Sequence, residues 1–203
     1  MTHRDQLRGH FDELGRLITA TFDTLAGQIE EYATRVQGTI DGGGRIFFCG
    51  NGGSAADAQH LAAEYVVRFV RQRRAVAAVA LTTDTSVLTA AGNDFGFERV
   101  FSRQIEALGS PGDLLVLHST SGRSTNLLVA AEAARERGMQ TIGLLARGGG
   151  VLAELVDLAL IVPTESTARA QEIHLLIGHA VCDLVDASLS RAEKLLTEPG
   201  QRT

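Results

Sequence analysis

His60 and Glu64 stand four residues apart in the run CGNGGSAADAQHLAAEY, positions 49–65. On a helix that spacing sets an imidazole and a carboxylate on one face. Such a pair can hold a metal ion or work as acid and base; in isolation it reads as a surface hydrogen bond. The residues just before it favour chemistry. Asn51, Gly52 and Gly53 can take the positive φ values of a tight turn, and Ser54 suits a helix N-cap. Free backbone N–H groups at such a turn, with a helix dipole behind them, suit an anionic or polyhydroxylated ligand.

Two further stretches carry similar signals. The run His118-Ser119-Thr120-Ser121-Gly122-Arg123-Ser124 falls between a predicted strand and a predicted helix. Its four hydroxyls can surround a phosphate, with the helix N-terminus adding partial positive charge. An ordinary capped turn would use one hydroxyl. The third stretch, TARAQEIHLLIGH (167–179), opens the last helix. Gln171 and His179 are eight apart, a little over two turns, and point broadly the same way. Beside the apolar stripe of Ile173, Leu176, Ile177, Ala180 and Val181, His179 alone reads as a core residue; alongside the two loops it reads as part of a site. His174 falls off that face and is expected to be structural or solvent-facing. Thr82-Thr83-Asp84-Thr85 and Asn93-Asp94-Phe95-Gly96 are polar loops that can cap and turn, or hydrogen-bond sugar hydroxyls.

The elements that must position these residues follow from periodicity. Apolar residues recur every three or four positions from Leu7 to Ile40, predicting helix over about 2–40, in one piece or two, stopped by Asp41-Gly42-Gly43-Gly44. So long an arm has to cover the sheet, meet another copy of the chain, or both. Strands are expected at Arg45–Phe48, Val76–Leu81 (buried), Leu114–Leu117, Thr141–Leu145 and Leu158–Val162. Helices are expected from Ser54, at Thr85–Ala91, Phe97–Leu108, Leu127–Arg137 and near Val151–Leu155, and from about Ser166 to Leu195. Continuous apolar strands alternating with helices make an α/β, doubly wound parallel sheet, whose ligands bind beyond the carboxyl ends of the strands. One domain is expected over 1–203, with a helical arm at 1–44, an α/β core and final helix at 45–197, and a frayed tail at Glu198–Thr203.

Composition bounds the function. The 203 residues carry a net charge of −5, with 44% hydrophobic and 21% charged residues, which fits a soluble globular protein without a nucleic-acid surface. Low aromatic content and the lack of tryptophan argue against base stacking. Cys49 and Cys182, the only cysteines, sit in apolar contexts and are expected to be reduced and buried, which points to the cytoplasm. The polar start is unlike a signal peptide, and no apolar run is expected to cross a bilayer.

The blocks CGNGGSAADAQH, LTTDTSVLTAAGNDFGFE, STSGRS and TARAQEIHLLIGH, in this order and spacing, resemble the phosphoheptose isomerases of the SIS (sugar isomerase) family over nearly the whole chain. The resemblance implies a three-layer SIS domain with a five-stranded, flavodoxin-like parallel sheet, a homotetramer with active sites at subunit contacts, and conversion of sedoheptulose 7-phosphate to an aldoheptose 7-phosphate. It implies one Zn²⁺ per subunit on His60, Glu64, Gln171 and His179. It implies phosphate contacts from Ser119, Thr120, Ser121 and Ser124, and sugar contacts from Asn51, Gly52, Gly53, Asn93, Asp94 and Gln171. Ketose–aldose isomerisation moves a proton from C1 to C2 through an enediol, with Glu64 expected as base and His179 as acid.

The chain departs from the family pattern in reading HSTSGRSTN where ISTSGNSPN is usual, which brings His118, Arg123 (expected to face solvent) and Thr125. The turn Ala146–Gly150 also lacks a common aspartate. The manno product is expected, with the altro epimer of a secondary-metabolite pathway as the alternative. A non-catalytic SIS protein that binds a replication initiator is opposed by the complete set of His60, Glu64, Gln171 and His179. A sugar-phosphate-sensing regulator is opposed by the N-terminal segment, which is neither basic nor followed by a linker.

Overall fold

The apolar runs become strands of a parallel sheet because helices cover both of its faces, so that β1 (Ile46–Gly50) and β3 (Leu114–Ser119) are buried at every position. The computed structural model describes residues 1–197, with side chains through 193; the tail expected at Glu198–Thr203 lies outside the described residues. The remaining strands are β2 (Ala78–Ala80), β4 (Gln140–Ala146) and β5 (Leu158–Val162). The order is β2-β1-β3-β4-β5, all parallel, with Gly50 level with His118 at the carboxyl ends of β1 and β3. This is the expected α/β flavodoxin-like sheet.

Helix α1 (His3–Asp41) is one continuous helix of 39 residues, about 58 Å long. Thr2 and Asp5 form a reciprocal capping box at its start, and the chain leaves it through Gly42 and Gly43. Its buried residues begin only at Leu17; Leu7 and Phe11 stand 60% and 75% exposed. The later turns pack with α2 (Gly53–Val66) and α7 (Thr167–Thr197) on one face of the sheet, around Leu61, Ile173, Ile177 and Val181. On the other face α3 (Thr85–Phe95), α4 (Ser102–Leu108), α5 (Thr125–Glu136) and the single turn α6 (Leu152–Leu155) enclose Phe47, Leu117, Ile105 and Ala130.

Five local expectations are corrected. The second strand is a three-residue edge strand, half-exposed rather than buried, because only β1 pairs with it. The helix after β1 takes Gly52, not Ser54, as its N-cap, and the positive φ falls on Gly52 alone. Asn93 and Asp94 are not in a loop: α3, capped by the Asp84 carboxylate, continues until Gly96 takes a positive φ. The helix expected over 97–108 breaks into a 3₁₀ turn (Phe97–Arg99) and α4. Finally, Thr167–Glu193 of α7 is long and apolar enough to cross a membrane by length and composition, although its stripe of Ile173, Ile177, Val181 and Val185 is buried in the protein core.

Candidate active site

Strand order reverses between β1 and β3, so the chain leaving β1 enters α2 on one face while the chain leaving β3 enters α5 on the other. A crevice has to open between two such exits. The Asn51 and Asn126 side chains clasp across it, each amide donating to the other's carbonyl oxygen at 2.9 and 2.8 Å. Beside the clasp lies a cavity of about 280 Å³. It is lined by Asn51, Gly52, Gly53 and Ser54 from the first turn, His118, Ser119, Thr120, Ser121 and Ser124 from the second, and Thr167 and Gln171 from α7.

The hydroxyls here are set up to donate. Ser119 Oγ accepts from the Gly122 N–H at 3.0 Å and Ser121 Oγ from the Arg123 N–H at 3.3 Å. Each hydroxyl proton is thereby left for an incoming oxygen. Ser124 is the N-cap of α5 yet makes no side-chain cap bond. Close packing fixes the walls. A Cβ on Gly53 would collide with the Gln171 amide, and one on Gly122, itself at φ +60°, would overlap the Gly149 carbonyl. Gln171 Nε2 lies 3.4 Å from Ser54 Oγ, which ties α7 to the start of α2.

A second group lies further along the same two helices. Eight residues after Gln171, about 12 Å along α7, His179 faces His60 of α2, their Nε2 atoms 2.8 Å apart. Facing ring nitrogens at that distance need a proton on one of them. Glu64 Oε1 lies 3.5 Å from His60 Nε2. Burial, helped by His60 and opposed by Glu64, holds the His179 pKa below the usual histidine value. The Phe69 ring stacks on His179 at 5.3 Å.

Arg73 anchors the end of α2, donating to the Glu64 and Tyr65 carbonyls at 2.7 and 2.8 Å and to Asp186 at 2.6 Å. Both side chains of this Arg73–Asp186 pair are 2% exposed. Burial pushes the Asp186 carboxyl up, but the N–H groups of Arg71 and Val70 and the Arg73 guanidinium outweigh it and hold the carboxyl low.

The expected residues thus separate into two groups. Three of the four expected metal ligands, His60, Glu64 and His179, come together; the fourth, Gln171, belongs to the cavity. Among the described residues no three His, Cys, Asp or Glu side chains close into a metal cage. The two imidazoles and the carboxylate of that cluster, on adjoining helices, are nevertheless donors that zinc accepts. Asn93 and Asp94 hydrogen-bond each other and line neither group. His174, left open between structural and solvent-facing, is fully buried. Asn126, Thr167, Phe69 and the Arg73–Asp186 pair were not anticipated as site residues; only Asn126, closing the run HSTSGRSTN, and Thr167, opening TARAQEIHLLIGH, had a local signal.

The fold and cavity define an α/β domain with a hydroxyl-lined cavity at its switch point, chemically suited to an anionic ligand. Residues 9–146 match the family model described as SIS domain. The phosphoheptose isomerase of Roseiflexus sp. is 53% identical over 169 residues, 83% of this chain and 86% of that one. That of Thiobacillus denitrificans is 49% identical over 96% of this chain and its own full length. The solved phosphoheptose isomerase of Neisseria gonorrhoeae superposes with a TM-score of 0.87 at 46% identity, covering 92% of this chain and all of its own. The chain belongs to the SIS family and, within it, to the phosphoheptose isomerases, and is therefore an isomerase.

Proposed function

We propose that the protein converts sedoheptulose 7-phosphate to D-glycero-D-manno-heptose 7-phosphate. The observation that carries this reading is the placing of two unlike groups along α2 and α7. The hydroxyl cavity suits the phosphate at one end of a seven-carbon chain, and the His60–Glu64–His179 cluster suits the reacting carbons at the other. Glu64 takes the proton from C1 and returns it to C2 of the enediol, while His179 moves protons between O1 and O2. Arg73 holds the backbone of the Glu64 turn in place for that transfer. Zn²⁺, held by His60, Glu64, Gln171 and His179, would supply Lewis-acid polarisation of the substrate carbonyl.

We also propose that the working form is a homotetramer in the cytoplasm. The cluster is open to solvent in one chain, with His60 46% exposed and Val66, Val67 and Val70 exposed nearby. An apolar groove of about 460 Å³ runs between α1 and α7, bordered by Ile18, Phe22, Leu176 and Leu184. A second copy would cover both surfaces. Cys49 and Cys182 are free, buried and on opposite faces of the sheet, in keeping with a reducing compartment.

The test is proton NMR of sedoheptulose 7-phosphate with the purified protein, with and without Zn²⁺. New anomeric signals with manno couplings are expected. Altro couplings would reassign the product, and no turnover in either condition would favour a binding protein.

A further inference from the structure

Three ring nitrogens beneath the phosphate cavity have no partner. Side chains alternate along β3, so His118 shares a face with Leu114 and Val116, the face covered by α1, α2 and α7. Its imidazole is fully buried, 6.3 Å from the Phe48 ring and 6.2 Å from the His174 ring. Neither His118 nitrogen is hydrogen-bonded, nor is Nδ1 of His174. His174 Nε2 lies 3.0 Å from the Leu145 carbonyl oxygen, which can only accept. In the neutral ring the proton is therefore on Nε2, and Nδ1 is left as an acceptor. Burial keeps both rings neutral, lowering His118 to about 3 and His174 to about 4.

Buried polar groups are rarely left unpaired, because each forfeits its hydrogen bonds to water. An apolar residue at 118, as the usual family pattern has, would avoid that loss. His118 also lines the cavity beside Ser119 and Gln171, although its nitrogens are closed to solvent. A single buried water typically makes about three hydrogen bonds to groups in this condition. Two imidazoles and one ligand oxygen would supply them.

We propose that one buried water links His118 to His174 under the cavity and extends to an oxygen of the bound sugar phosphate, making His118 a substrate-positioning residue. This rests on the sugar-phosphate reading of the cavity. The ring contributes no proton to the reaction; it fixes where the ligand sits.

The test has two arms. A crystal structure of the ligand-free wild type, at a resolution that orders single waters, is expected to show density within hydrogen-bond distance of both rings. Rings with no density between them would overturn the bridge. In kinetics, His118→Leu is expected to raise KM for sedoheptulose 7-phosphate roughly tenfold, the equivalent of one lost hydrogen bond, with kcat unchanged. His118→Gln, which keeps a donor and an acceptor, should recover most of that loss. A wild-type KM in the leucine variant, or equal falls in kcat for both variants, would overturn the positioning role. A wild type inactive on this sugar would strike the isomerase reading; density between the rings would then still support the bridge, and its absence would still overturn it.

Discussion

The hydroxyl-lined cavity is made mostly of backbone and short side chains. Its walls are two turns after β1 and β3, with Gly53 and Gly122 in contacts that leave no room for a methyl group. The His60–Glu64–His179 cluster is made of long side chains from two helices; Phe69 stacks on His179, while His60 stays 46% exposed. The geometry of the first region is set by the sheet and by close packing at its glycines. The second depends on how α2 and α7 lie together and on Arg73 fastening the end of α2. On the proposed function, the ligand is held by parts set by the sheet, while the reaction depends on parts set by the packing of two helices.

This contrast can be broken most sharply at Glu64. Glu64→Gln and His179→Gln are expected to lower kcat by about 10²–10⁴ while sugar-phosphate affinity, read by calorimetry, stays near wild type. A variant that binds poorly instead would show that the two regions do not divide the work. Next comes the support. Arg73→Ala leaves the buried Asp186 carboxylate without its counter-charge, held only by the Val70 and Arg71 N–H groups, and should cost about 3–5 kcal/mol in denaturant unfolding; a loss under 1 kcal/mol would mean that water reaches the pair. In the cavity, Ser121→Ala and Ser124→Ala should each weaken sugar-phosphate binding by about 1–3 kcal/mol with little effect on kcat. Unchanged affinity in both would remove the phosphate assignment.

Acid acts on the two rings buried beneath the cavity. His118 and His174 have folded pKa values below the unfolded histidine value of about 6.5. As pH falls the unfolded chain takes up protons first, so stability is complete above about 6.5 and is lost between there and about 4. The expected slope is about 1.4 kcal/mol per pH unit for each histidine, and His118→Leu should shed its share. An equal slope in that variant would place the acid sensitivity elsewhere.

The parts of the site legible in the sequence are those whose logic is local. Four residues separate His60 from Glu64, and four hydroxyls crowd one turn after a strand, so spacing alone placed them. Asn93 and Asp94 misled because a polar pair before a glycine looks like a turn, whereas Gly96 ends the helix only after both have joined it. Ser54 looked like a cap, yet its hydroxyl is turned towards Gln171, 117 residues away. The Arg73–Asp186 pair and the Asn51–Asn126 clasp join positions 113 and 75 residues apart, and no periodicity records such a distance. His118 was visible as an unusual residue, but its partner His174 comes into view only when α7 lies across the end of β3.

The shortness of β2 bears on how the protein behaves in a crowded solution. A sheet edge is a template on which another chain can add a strand, and long apolar edges seed aggregates. Here the outer edge offers only Ala78, Val79 and Ala80, approached through a segment carrying the exposed Arg68 and Arg74. A stray strand would gain a few hydrogen bonds there and meet positive charge on arrival. The far edge, β5, lies against α1. With one edge short and the other strand packed beside α1, the sheet keeps its most apolar strands in the middle.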